Sequence, residues 1–302
     1  MKYIDAHAHI CEYISGFSSE GEIRPLGNGK AIYTSGREFQ LFSPSLGDKS
    51  FTYDRLLEIM DENDIERAVL LQGNYLGLQN LYTYEACKKY PSRFVGACMY
   101  DPFSYKADEI KKYLLDELHF KIIKLEVSTG SGLMCNHKPF SLNCEEMRKI
   151  YDYALKNDVT LVFDIGRKGN PCFQVETLLE IIKEYKDIDF VICHLFALPT
   201  NSKEELIRLV NLFNLPNVFF DLASVQNNTR EEAPYKEATS YIREACSILS
   251  SRKLMWGTDI PAGLKNHTYS SLKNYLTESK LFLKEELEDI YYNTAKKVYF
   301  KQ

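Results

Sequence analysis

His7 and His9 are separated by one alanine in the apolar opening segment Tyr3-Ile4-Asp5-Ala6-His7-Ala8-His9. A strand places alternate side chains on one face, so the two imidazoles project together. Such a pair can grip one divalent cation. Equally, it can be a pair of core histidines bonded to backbone groups, because buried imidazoles need partners. Three further residues shift the balance. Asp164 ends the run Thr160-Leu161-Val162-Phe163, His194 ends Phe190-Val191-Ile192-Cys193, and Asp259 ends Leu254-Met255-Trp256-Gly257-Thr258. Core packing gives no reason for charge at the ends of apolar strands, whereas several such groups around a cation satisfy one another. A metal held by histidines and carboxylates lowers the pKa of bound water toward about 7 and polarises a substrate oxygen. A nearby carboxylate can take the water proton, and a nearby histidine can stabilise or protonate the developing oxyanion.

These residues converge only if the elements carrying them share one end of a sheet. Strand patterns lie near 3–9, 66–72, 93–100, 121–127, 159–165, 188–195, 217–223 and 253–259. Helical periodicity occupies 52–64, 105–118, 143–157, 174–186, 202–213, 235–249 and 268–279, and 284–300 reads as a closing helix. Alternation of this kind predicts an α/β fold, a single-domain (β/α)8 TIM barrel over 1–302, in which all strand C-termini meet at one mouth. An open doubly wound sheet is the competing architecture, but it favours a Gly-rich phosphate loop after an early strand, and none is present. Residues 10–50 form an unusually long βα loop, expected over the catalytic face. Within it, Arg24 and Arg37 are candidates to bind a substrate carboxylate, against the reading of each as an ordinary surface arginine.

The 302 residues are 45% hydrophobic, enough for a large core, and carry a net charge of −5. With no basic stripe, nucleic acid is not an expected partner; no apolar run reaches membrane-spanning length, and no signal peptide precedes the first strand. The expectation is a cytoplasmic enzyme acting on a small molecule. Eight cysteines are scattered without a Cys-x-x-Cys pair, and they read as free thiols. By strand alternation Cys193 is expected to point outward as an inert buried thiol.

Ile4-Asp5-Ala6-His7-Ala8-His9, Val191-Ile192-Cys193-His194-Leu195, Trp256-Gly257-Thr258-Asp259-Ile260-Pro261 and the ending Asn293-Thr294-Ala295-Lys296-Lys297-Val298-Tyr299 resemble motifs of the amidohydrolase superfamily. The similarity is strongest to its amidohydrolase-2 group, which includes the decarboxylase of aminocarboxymuconate semialdehyde, related aromatic-acid decarboxylases, and lactonases. The resemblance implies that His7 and His9 are metal ligands, that Asp259 is a ligand or the base for the metal-bound water, and that His194 acts on the substrate. It implies one divalent metal, Zn being favoured with Mn or Mg as alternatives, and it is compatible with a homodimer. Members usually have a histidine ligand at the end of the fifth strand, where this chain has Asp164. An oxygen ligand there would harden the site and shift preference toward Mn or Mg; the departure could instead mark a metal-poor site or a changed reaction.

Other residues fall near the predicted mouth. Lys124 and Glu126 share a face of the fourth strand, with Glu126 nearer its end and able to contact metal or substrate. Arg167 is placed to anchor an anionic substrate. Gln72 is expected to shape the pocket, and Asp221 has the parity to orient a ligand. His119 falls at the opposite end and reads as structural, His137 reads as a surface residue, and His267, a few residues past the eighth strand, is a weak candidate to support the site from behind its ligands. Three functions compete. The first is a metal-dependent hydrolase of a small ester, lactone or amide. The second is a non-oxidative decarboxylase or hydratase on the same scaffold. The third, motivated by Asp164, is a barrel that binds a ligand without catalysis.

Overall fold

The computed structural model describes residues 1–199, 201–229 and 231–301. Eight parallel strands carry the barrel: β1 (Ile4–Ala8), β6 (Arg67–Leu70), β7 (Phe94–Gly96), β8 (Ile122–Glu126), β9 (Thr160–Asp164), β10 (Phe190–Ile192), β11 (Val218–Asp221) and β12 (Leu254–Met255). They pair in the orders β1-β6-β7 and β8-β9-β10-β11-β12. Two seams join these sheets. Between β7 and β8, Cys98 N donates to Ile122 O at 2.9 Å and Lys124 N to Cys98 O at 2.8 Å. Between β1 and the chain just after β12, Ala6 N donates to Trp256 O at 3.0 Å, Asp259 N to His7 O at 2.8 Å and His9 N to Ile260 O at 2.8 Å. The result is the predicted TIM barrel.

Burial divides by strand parity. One apolar layer fills the barrel, with Ile4, Ala6, Val69, Leu71, Ala97, Ile122, Val162, Val191, Phe219 and Met255. Ala295, Val298 and Tyr299 of the closing helical segment join this layer. A larger layer lies between strands and helices, with Leu70, Leu125, Phe163, Ile192, Phe220 and Trp256 facing outward against helical residues such as Ile150, Leu178 and Leu209. Local chemistry sets the helix starts. Thr52 caps Tyr53–Glu62 by accepting from Arg55 N, and Thr268 opens Tyr269–Ser279 with a reciprocal capping box. One helix in the βα alternation, Asn80–Lys89, was not among the helical patterns in the sequence. It buries only Thr83 and Ala86, so its apolar stripe is too thin to register. No helix among the described residues is long and apolar enough to cross a membrane.

The 10–50 connection is a folded antiparallel sheet, which corrects its reading as a loop. Strands β2 (Gly16–Ser18), β3 (Gly21–Gly27), β4 (Lys30–Tyr33) and β5 (Glu38–Gln40) pair in sequence order. It is tied to the connections after β6 and β8, with Phe17 N donating to Asn74 O and Ser19 N to Gly130 O, both at 2.8 Å.

Candidate active site

Two backbone irregularities bring the site together. In β1, the pairings Asp5↔Ala68 and Ala8↔Leu70 oppose three steps to two, which is a bulge. Ala6 faces the barrel interior and Ala8 the outer layer. Simple alternation from Ala6 would therefore turn His7 outward; the extra residue resets the phase, and His7 and His9 both face the mouth. The second irregularity follows β10. His194, Leu195, Phe196 and Ala197 have φ of 57, 48, 68 and 50°, four consecutive left-handed residues that are not glycine. This conformation costs L-residues roughly 1–2 kcal/mol each. It explains why both Cys193 and His194 lie inside. Cys193 keeps the interior parity of Val191, and the turn redirects His194 to the mouth. The expectation that Cys193 faces the helices is therefore corrected: its Sγ is 2.9 Å from the buried Lys124 Nζ.

Each histidine has one ring nitrogen committed. His7 Nδ1 donates to the buried Asp221 carboxylate, His9 Nδ1 to Leu71 O at 3.0 Å, and His194 Nδ1 to Ala223 O at 2.8 Å. The Nε2 atoms of His7 and His9 then lie 3.0 Å apart, with Asp259 Oδ1 at 3.6 and 3.2 Å from them. Burial pushes the His7 pKa down to about 4 against the pull of Asp221, so the ring is neutral at pH 7. With their protons on Nδ1, these rings turn two lone pairs and a carboxylate oxygen toward one point. A cation resolves that arrangement, so this donor set fits a divalent metal. Gly257 lets the closing strand come this near, because a Cβ there would sit 2.8 Å from His7 Cβ. Asp5, fully buried, accepts from Thr258 N, Thr258 Oγ1 and Tyr269 Oη, locking the segment that ends in Asp259.

Asp164 lies apart from the three-donor cluster formed by His7, His9 and Asp259. Its Oδ2 is 3.5 Å from His194 Nε2, and its Oδ1 accepts from Gly166 N. This geometry does not bring Asp164 into the cluster where it was expected as a ligand: the regular end of β9 delivers it to His194. Burial opposes charge on both partners. Even so, the pairing holds the Asp164 carboxyl well below its usual range and, with Asp221 and Asp259 nearby, raises His194 to about 10. Glu126 accepts from Ser131 Oγ at 2.7 Å and Ser128 Oγ at 3.1 Å, and its pKa is raised by burial and by Asp164.

A chamber of about 390 Å³ opens over these groups, lined among others by His7, His9, Tyr75, Lys124, Glu126, His194 and Asp259. It adjoins a second chamber of about 530 Å³, and both share Glu126, Asp164, Arg167, His194 and Asp259. Arg167 is exposed, lines both chambers, and has no side-chain hydrogen bond or ion pair among the described residues. Arg24 and Arg37 are outside both chambers. Arg24 is exposed on β3, and Arg37 forms a fork with Glu20 and lies over the Tyr33 ring. As substrate-binding candidates they are corrected: the folded sheet turns them to its outer surface. A separate cavity of about 600 Å³, lined in part by His119, Tyr299 and Lys301, lies at the N-terminal end of the barrel, away from every donor cluster found among the described residues.

Ser224 belongs to no pattern that the sequence marks as chemical. It lies three residues past Asp221 and donates from Oγ to Asp259 Oδ2 at 2.6 Å. Its place just beyond the seventh strand was the available signal.

No curated protein sequence matches the chain. Solved structures do. A probable 2-pyrone-4,6-dicarboxylic acid hydrolase from Acinetobacter baumannii, with citric acid bound, is similar at TM-score 0.69 and 16% identity, covering 100% of both chains. An amidohydrolase from Burkholderia multivorans with bound zinc is similar at TM-score 0.72 and 13% identity, again over 100% of both. The 5-carboxyvanillate decarboxylase of Sphingomonas paucimobilis gives TM-score 0.58 at 10% identity over 82% of both. At these identities the likeness carries the fold. The sequence match to the amidohydrolase family runs over residues 4–301, essentially every strand, the bulged His-x-His and the final helix included, and the chain belongs to that family.

Proposed function

We propose that this chain is a metal-dependent hydrolase of a small ester, lactone or amide bearing an anionic group. The supporting observation is the convergence of His7 Nε2, His9 Nε2 and Asp259 Oδ1 on one point, with His7 and His9 each held by a hydrogen bond on its other nitrogen. Three protein ligands leave a position open, which is the pattern of catalytic sites. The two imidazoles favour zinc, and the Burkholderia structure, which binds zinc, agrees; moving Asp164 out of the ligand set removes the main argument for Mn or Mg. When bound, the ion would supply an activated water and polarise the substrate carbonyl.

The remaining work falls to side chains. His194, with Nδ1 fixed on Ala223 O, turns Nε2 toward Asp164 and the chamber, where a proton held there can meet a developing oxyanion or leaving group. Arg167, free of internal partners, anchors a carboxylate. Decarboxylation is the second reading, since an anchored carboxylate and a protonated histidine also serve proton delivery to carbon. Against aromatic acids stands the second chamber, whose described lining includes Ser128, Thr129, Asn170, Asn227 and Asn228 and no Phe, Tyr or Trp. Hydrolysis of a lactone panel, compared with CO2 release from carboxylated aromatics by zinc-loaded and chelator-treated protein, is the test. Activity that survives complete metal removal would overturn the metal-dependent reading.

A further inference from the structure

Ser224 does not stand alone behind Asp259. Asn227 Nδ2 donates to Ser224 Oγ at 3.0 Å. His267 Nε2 lies 2.9 Å from Asn227 Oδ1, and Tyr235 Oη lies 2.9 Å from His267 Nδ1. The donors can be assigned by elimination. Asn227 Oδ1 can only accept, so His267 carries its proton on Nε2. Its Nδ1 is then an acceptor, and the hydroxyl of the buried Tyr235 donates to it. Ser224 receives from Asn227 and gives its own proton to Asp259. Every bond from Tyr235 onward therefore donates in one direction, Tyr235 to His267 to Asn227 to Ser224 to Asp259 Oδ2.

We infer that this chain of hydrogen bonds is a positioning relay for Asp259, which keeps Oδ2 engaged and presents Oδ1 to the Nε2 atoms of His7 and His9. The inference rests on the reading of Asp259 as a metal ligand and extends it to four residues with no place in the catalytic set. Hydrogen bonds aligned in one sense polarise one another, so a donor several bonds away strengthens the last one. The backbone shows how firmly this end is built. Ser224 and Asp259, the two partners of the final bond, have φ of 59° each, the left-handed region, which Asp tolerates but Ser disfavours. The members come from three places in the chain: Ser224 from the turn after β11 and Asn227 from the short helix Val225–Thr229 that follows it, Tyr235 from the residue preceding helix Lys236–Leu249, and His267 from the connection after β12.

Groups that orient a metal ligand from behind are worth about 10–100-fold in metal affinity. Zinc competition against a chromogenic chelator should therefore weaken about tenfold or more in Ser224→Ala and by a smaller factor in His267→Ala. His267→Gln, whose amide keeps a donor for Asn227, should recover most of the His267→Ala loss. Affinity at the wild-type level in Ser224→Ala and His267→Ala overturns the relay. So does equal loss in His267→Ala and His267→Gln, which marks a packing role. A second readout needs no metal. Nitrogen-15 correlation spectra of the histidine rings should give His267 as the Nε2–H tautomer in wild type, and an Nδ1–H tautomer breaks the chain whatever the metal does. If wild type itself binds no zinc while His267 shows the expected tautomer, the metal reading fails and the hydrogen-bond chain stands. The affinity arm then reads against the relay's role in presenting a ligand.

Discussion

His7 and His194 lie with ring centroids 4.9 Å apart, yet their surroundings drive them to opposite protonation states. His7 is neutral because burial outweighs Asp221, and His194 is driven to about 10 because three carboxylates outweigh burial. The first consequence concerns metal. His7→Ala should lose stoichiometric zinc, measured by elemental analysis of purified protein. Asp221→Asn should retain the fold and weaken zinc binding by about 10–100-fold, because it removes the negative charge behind His7 and leaves one acceptor oxygen where His7 Nδ1–H and Ala223 N–H now use two. The second concerns pH. A group whose folded pKa exceeds its unfolded value stabilises the fold fully below the unfolded value and loses that contribution as pH rises through the folded one. In the metal-free protein the His194 contribution should be complete below its ordinary 6.5 and fade as pH climbs toward about 10. Melting temperature should fall across that window, and Asp164→Asn should flatten the fall. An equally steep decline in the variant would show that Asp164 does not hold the His194 proton.

At the scale of elements, the sequence was most legible where strands stay regular. Asp164, Asp221, Lys124 and Glu126 end up on the interior face that alternation assigns them, and all eight barrel strands lie where the apolar runs put them. Legibility ended where the backbone departs from period two. A bulge in β1 and a left-handed turn after β10 are tertiary accommodations with no composition of their own, which is why His194 was placed correctly and its neighbour Cys193 was not. Asp164 was reachable as a mouth residue, but its partner depends on where that turn sends His194. The short meander strands were missed although Asn28-Gly29, both at positive φ between β3 and β4, is a hairpin signal. The left-handed turn is also open to experiment. Ala197 has φ 50° and only a methyl group to lose. Ala197→Gly should raise stability by up to about 1 kcal/mol in denaturant titration, against the usual penalty for an added glycine, and should leave zinc affinity unchanged. Destabilisation would mean that the turn costs less than its dihedrals imply.

At the scale of the whole molecule, the barrel supplies the metal cluster and the meander bears on the wall of the substrate space. The link runs through Tyr75, which lines the inner chamber and whose hydroxyl lies 3.2 Å from that of Tyr33 on β4. Gly16 of β2 packs directly on the backbone of the same residue: a Cβ there would lie 2.1 Å from Tyr75 O and 2.8 Å from its carbonyl carbon. Backbone cannot give way as a flexible side chain can, so Gly16→Ala must shift either the meander or the segment after β6. The adjacent anchor, Phe17 N to Asn74 O at 2.8 Å, ties both to the same movement. Overpacking of this kind costs about 1–3 kcal/mol. Because Tyr75 lines the chamber and stands outside the three-donor set, the kinetic signature should be a raised KM with zinc stoichiometry intact. A variant that loses zinc while keeping KM would place the meander's influence on β1 and the metal cluster instead of on the chamber wall. Intact KM together with intact zinc would show that the added methyl is absorbed at the outer sheet, and that the meander closes the barrel without shaping what binds there.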